Sequence, residues 1–201
     1  MLGDIFAQGS SSMTPLGMLW PAAWLLLFLS LSSSAATTAT ADGVYARYAP
    51  SLYQIRIMEN RSGSRAALGS GFVVNEGKFI ATNYHVVSLL VMEPQRYRAE
   101  YVRVDGKRGA VKLLGFDVVH DLALVQLEAV TQAAHFNLRP ENEPLRQGEK
   151  IYSLGNPLDL GFAISEGTYN GIVERRLYDT IHFTGALNPG MSGGPGLEQA
   201  P

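Results

Sequence analysis

An all-β protein is predicted by three observations on the 201-residue chain. Beyond residue 41 it is a succession of short runs rich in β-branched and aromatic residues. Gly, Asn, Pro and charged residues separate these runs, and little sustained 3.6-residue periodicity interrupts them. Hydrophobic residues make up 46% and charged residues 17%, the balance of a chain that packs a core rather than one that stays disordered. Cysteine is absent, which excludes disulfides, thiol nucleophiles and thiolate metal sites and leaves oxygen and imidazole chemistry.

The runs that read as strands are Leu52–Met58, Gly71–Asn75, Lys78–Thr82, Tyr101–Val104, Val111–Phe116, Leu122–Leu127, Lys150–Leu154, Ala163–Tyr169, Gly171–Glu174 and Thr180–Thr184. One short helical turn is expected after His85, in VVSLLVM. The polar stretch NLRPENEPLRQGE, residues 137–149, breaks the pattern and reads as a linker. The expected organisation is a leader over 1–41, a first block over 42–136 and a second over 137–201.

The leader is the uncharged LGMLWPAAWLLLFLSL of residues 16–31, followed by small residues that end in Ala39-Thr40-Ala41. This is the shape of an export signal cleaved after Ala41, with an uncleaved membrane anchor as the alternative, since the run only approaches the roughly 20 residues a spanning helix needs. No basic residue precedes it, unlike most signal peptides, and a start at Met13 would trim the polar prefix. Sixteen basic and eighteen acidic residues give a net charge of -2, so no electrostatic case exists for nucleic acid or an anionic membrane surface. Membrane association would come only through the N-terminal apolar segment.

Chemistry concentrates in three segments. In Asn188-Pro-Gly-Met-Ser-Gly-Gly-Pro195, Ser192 is the nucleophile candidate. Glycine tolerates positive φ, so the N–H groups of Gly190 and Ser192 can converge as an oxyanion hole, while Gly193 and Gly194 leave room for a substrate backbone. A serine hydroxyl needs a base, and His85 in Ala81-Thr-Asn-Tyr-His-Val-Val87 is the best placed of four histidines, at the end of an expected strand. His120, His135 and His182 have no comparable setting. Asp121, opening the alternating strand DLALVQL, is the carboxylate expected to orient His85, with Asp117 as its competitor. No HExxH or similar spacing suggests a metal, GSGFVV lacks the GxGxxG of a dinucleotide site, and no cofactor is expected.

Taken together and in order, TNYHVV, HDLALVQL and NPGMSGGP resemble the triad segments of trypsin-like serine proteases, nearest to the HtrA/Deg branch. LGSGFVV at 68–74 and SLGNP at 153–157 resemble supporting segments, and the likeness runs from about Pro50 to Pro195. It implies a chymotrypsin-like fold of two six-stranded barrels, with His85 and Asp121 on the first and Ser192 on the second, and a polypeptide substrate cut through an acyl-enzyme. The order His, Asp, Ser separates it from hydrolases that run Ser, Asp, His or Asp, His, Ser. Two departures stand out. Met191 occupies the position where digestive relatives have Asp and the HtrA branch Asn or Asp. Nine residues, 193–201, follow Ser192, where the family has two more strands and usually a helix. The second barrel is therefore expected to be incomplete, in a truncated or inactive homologue that binds peptides or partners if it is not an active enzyme. With no Asp in Thr184–Pro189, a small or medium apolar residue is expected at the cleavage site.

Overall fold

The computed structural model describes residues 40–75, 77–128, 136–140, 142–174 and 178–198. The leader read over 1–41 lies outside these, apart from Thr40 and Ala41, as does His135. Among the described residues no helix is long and apolar enough to cross a membrane.

Six strands close a barrel: β1 (Leu52–Glu59), β2 (Arg65–Val74), β3 (Phe79–Thr82), β4 (Tyr97–Arg103), β5 (Arg108–Asp117) and β6 (Leu122–Leu127), in the order β1-β2-β3-β6-β5-β4. All its pairings are antiparallel. Closure removes the unpaired edges that a six-stranded sheet would otherwise expose. Ile55, Ile57, Val73, Ile80 and Val125 are fully buried in its interior, each burial being worth roughly 1.5–3 kcal/mol.

The first four residues of strand β1, Leu52, Tyr53, Gln54 and Ile55, are all buried, so both of its faces are covered. Tyr53, Ile55 and Ile57 enter the barrel core, whereas Leu52 joins a second cluster with Val44, Phe136, Tyr152 and Leu154. That cluster packs the helix α1 (Ala41–Tyr48) and the barrel against a four-stranded antiparallel sheet. The sheet comprises β7 (Lys150–Gly155), β8 (Ala163–Val173), β9 (Thr180–Thr184) and β10 (Gly196–Glu198), in the order β10-β7-β8-β9. Among the described residues this sheet is open. The fold is thus all-β, with one closed barrel and a second, incomplete sheet.

Three strand boundaries differ instructively from expectation. The two runs Ala163–Tyr169 and Gly171–Glu174 form one strand, β8, because Gly171 at φ 110° makes a bulge, marked by a register shift between Tyr169 and Ile172, rather than a break. Strand β2 starts at Arg65, six residues before the expected Gly71, its partly exposed first half pairing with β1. Strand β10 was not expected: three residues carry too little periodicity to read, and only pairing with β7 defines it. The segment 137–149 forms no strand or helix among its described residues, but Phe136 just before it is buried against Tyr48 and Phe72.

Candidate active site

His85 does not end a strand. It is the second residue of helix α2 (Tyr84–Met92), a full nine-residue element where one short turn was expected after His85. In YHVVSLLVM the pairs Val86–Val87 and Leu90–Val91 recur one helical turn apart, and this face seats the helix on the barrel core. Its N-cap residue, Asn83, makes no side-chain cap bond to the helix. Asp121 supplies one instead, from the turn before β6. Its Oδ1 accepts the His85 main-chain N–H at 2.8 Å, and its Oδ2 lies 2.7 Å from the His85 ring Nδ1. The Asp121 carbonyl also accepts from Tyr84 N–H at 3.1 Å and from the Asn83 amide at 2.7 Å.

Four contacts thus tie one aspartate to three consecutive residues. Asp121 meets them at φ 55°, in the left-handed region that Asp and Asn tolerate better than most residues. A neutral His85 with Nδ1–H donating to Asp121 leaves its other ring nitrogen, Nε2, free to accept a proton. The ring is half exposed, with 54% of the side-chain surface accessible, so that nitrogen can be reached.

Asp117, the competitor, does what its position in a turn suggests. Its Oδ1 accepts the N–H groups of Val119 and His120, and its Oδ2 pairs with His120 Nδ1 at 2.6 Å. The hydrogen bond from His120 holds the Asp117 carboxyl below its ordinary value. His120 therefore does have a carboxylate partner, which the sequence reading missed, although both side chains are about half exposed. His182 sits exposed on β9.

The loop carrying Ser192 is docked onto the barrel by Ser70, the middle residue of Gly69-Ser-Gly71. Ser70 N–H donates to the Ser192 carbonyl at 2.7 Å, and its buried hydroxyl donates to the Gly190 carbonyl at 2.7 Å while accepting Asn156 N–H at 2.9 Å. Thr82 closes the set by donating its hydroxyl to the Ser70 carbonyl. Gly190 and Gly193 both take positive φ, 96° and 86°. Neither the Gly190 nor the Ser192 N–H donates to a main-chain carbonyl among the described residues. Met191 is buried, and its Cα and Cβ lie where a side chain on Gly155 would stand, so packing rather than an ion pair holds this position.

Ser192 lines a cleft of about 470 Å³ together with Asn83, Ser153, Leu187, Pro189, Met191 and Gly193. Asn83 is two residues from His85, so the cleft runs between the His-bearing and Ser-bearing segments. Among the described residues Ser192 Oγ makes no hydrogen bond to His85.

A family model described as a trypsin-like peptidase domain matches residues 69–200. The chain belongs to the trypsin-like peptidase family. Within that family it is similar to Protease Do-like 1 of Arabidopsis thaliana, at 30% identity over 74% of this chain and 33% of the relative. A probable periplasmic serine endoprotease DegP-like of Chlamydia trachomatis is 29% identical over 65% of this chain and 26% of its own length. This trypsin-like chain thus spans about a third or less of the length of these two curated relatives. Among solved structures it resembles that of Deg5, with 26% identity and a TM-score of 0.66 over 79% of this chain and 78% of the other. These likenesses place it with the HtrA/Deg proteases.

A cluster that the sequence reading passed over lies behind the Ser192 loop. Asp159, in the turn after β7, accepts from Gln54 Nε2 at 2.7 Å and Arg56 Nη2 at 3.0 Å, and it pairs with Arg65. The hydrogen bonds from Arg65 and then Gln54 hold its carboxyl below the ordinary 3.8. A depressed folded value means that the stabilisation is full above the unfolded value and is lost as pH falls through the folded one. Asp159→Asn is therefore expected to lower Tm at neutral pH and to shrink the drop in Tm on acidification below 3.8. Asp117 acts in the same direction, so the acid dependence shrinks without vanishing. Thermal unfolding followed from about pH 6 to about pH 2 checks this; parallel curves for the two proteins would refute it.

Proposed function

We propose that the chain is a serine endopeptidase. Ser192 Oγ attacks the peptide carbonyl while His85 Nε2 takes its proton, and the oxygen that becomes negative is held by the N–H groups of Gly190 and Ser192. His85 then returns the proton to the leaving amine, and water clears the acyl-enzyme by the same route in reverse. Asp121 keeps the proton of neutral His85 on Nδ1 and stabilises the imidazolium that forms. The observation that carries this reading is the two-handed grip of Asp121 on the main chain and ring of His85, next to a cleft lined by Ser192. Catalytic hydrogen bonds often tighten only once substrate is bound, so the missing Ser192–His85 hydrogen bond does not count against this reading.

The substrate is a polypeptide, and Leu187, Pro189 and Met191 along the cleft favour a small or medium apolar side chain at the cut. We place the functional division at 42–136, which carries His85 and Asp121, and 137–201, which carries Ser192. The chain acts after export, in the periplasm or outside the cell, in line with the periplasmic endoprotease among its relatives. The second reading, a binding module with an idle triad, draws on the missing Ser192–His85 hydrogen bond.

A fluorophosphonate probe separates the two. The full chain is expected to be labelled once per molecule, and Ser192→Ala and His85→Ala to abolish labelling while keeping the folded circular-dichroism spectrum. A folded chain that takes no label leaves the binding-module reading.

A further inference from the structure

The Gly190 N–H and the Pro189 C=O belong to one planar trans peptide, so they point in opposite directions. Whatever holds Pro189 O therefore decides where Gly190 N–H points. In this chain the holder is Leu158 N–H, at 2.8 Å. Leu158 presents that N–H from an unfavourable conformation: it and Asp159 are consecutive non-glycine residues at φ 54° and 61°. The left-handed region brings Cβ against the following carbonyl, and leucine has no polar side chain to compensate. Such a turn persists only where its surroundings hold it.

The surroundings are the cluster behind the turn. Asp159 Oδ1 takes Gln54 and Arg56, Oδ2 takes Arg65, and Arg56 Nε also donates to Gln54 Oε1. Gln54 is fully buried, and all three partners stand on β1 and β2 of the barrel, whereas Asp159 follows β7 of the open sheet. The clasp thus pins a strained turn to the rigid barrel, about a hundred residues away in the chain, and the turn in turn holds the peptide that carries Gly190 N–H.

We infer that Asp159 is a positioning residue for the oxyanion hole, setting the Pro189–Gly190 peptide plane through the 157–160 turn. This rests on the endopeptidase reading for its effect on rate. The clasp also has a readout independent of activity, the exchange protection of the Leu158 amide.

Asp159→Asn tests it, because asparagine keeps the tolerance for positive φ but cannot balance two guanidinium groups. The labelling rate with a fluorophosphonate is expected to fall about 10- to 100-fold, approaching the loss of one oxyanion donor. The final labelled fraction should stay unchanged, since Ser192, His85 and Asp121 are untouched. Leu158 amide exchange, protected in the parent, should accelerate. Adding Leu158→Gly to Asp159→Asn should recover part of the rate, because glycine adopts the turn unaided. A role in stability alone would instead slow labelling only in proportion to the folded fraction measured under the same conditions.

An unchanged rate and unchanged Leu158 exchange in Asp159→Asn would overturn the inference. So would a rate loss that follows the folded fraction and is not relieved by Leu158→Gly. If the parent takes no label but Leu158 protection depends on Asp159, the endopeptidase reading fails while the clasp stands. If the parent takes no label and protection is indifferent to Asp159, both fail.

Discussion

Asp121→Asn is expected to slow labelling of Ser192 by about 10⁴-fold while leaving the fold in place. The reason lies in the two separate bonds of the carboxylate. An asparagine oxygen can still accept the His85 main-chain N–H, so the cap on α2 survives. The amide NH₂ then faces His85 Nδ1, where Oδ2 stood. Two donors cannot meet, so the ring must turn its lone pair toward the amide and carry its proton on Nε2. In that tautomer it cannot accept the Ser192 proton. The cost in stability is small by comparison, about 0.3–1 kcal/mol for losing a negative charge at a helix N-terminus. Labelling kinetics beside a thermal melt separate the two effects. An Asp121→Asn protein that labels as fast as the parent would remove Asp121 from the mechanism, whatever the melt shows.

Gly193→Ala should severely damage the loop that carries Ser192. At φ 86° a Cβ there would stand 2.2 Å from the Ser70 carbonyl oxygen, 2.3 Å from Thr82 Oγ1 and 3.0 Å from Asn83 N. Two of these are main-chain atoms, one on β2 and one at the N-cap of α2, so the loop must move, and with it the Ser70 N–H bond to Ser192 O. We expect a loss of about 2–4 kcal/mol in unfolding free energy and of at least about 100-fold in labelling rate. Gly106→Ala is the control. Its φ of 81° is nearly the same, but nothing lies within 4 Å of the added carbon. It should cost only the left-handed penalty of about 1–2 kcal/mol and leave labelling unaffected. Equal effects in the two variants would mean that backbone conformation, not the close approach to the barrel, makes Gly193 necessary.

What the sequence made legible follows the range of the physics involved. Leu122–Leu127 and Thr180–Thr184 were read to the residue because alternation over five or six positions is a local signal. Helix α2 was only partly read, because its first turn is capped by a residue 36 positions away. The sequence splits β8 at Asn170, just before Gly171, because the difference between a bulge and a turn depends on the partner strand. His85, Asp121 and Ser192 stood out by residue type and order, which needs no coordinates.

The holding of those residues was not legible at all. Nothing in LGSGFVV marks Ser70 out from its neighbours, yet its main chain and hydroxyl grip both Ser192 and Gly190. Nothing in PLDLG singles out Asp159, because its partners lie 94 to 105 positions earlier. The sequence by itself determined the fold class, the family and the chemically able side chains, since period, composition and residue order are properties of the chain. Only the tertiary structure decided which aspartate meets His85, how the Ser192 loop is docked and what fixes the Pro189–Gly190 peptide. Those depend on hydrogen bonds between segments that only the closed barrel and its neighbouring sheet bring within 3 Å of one another.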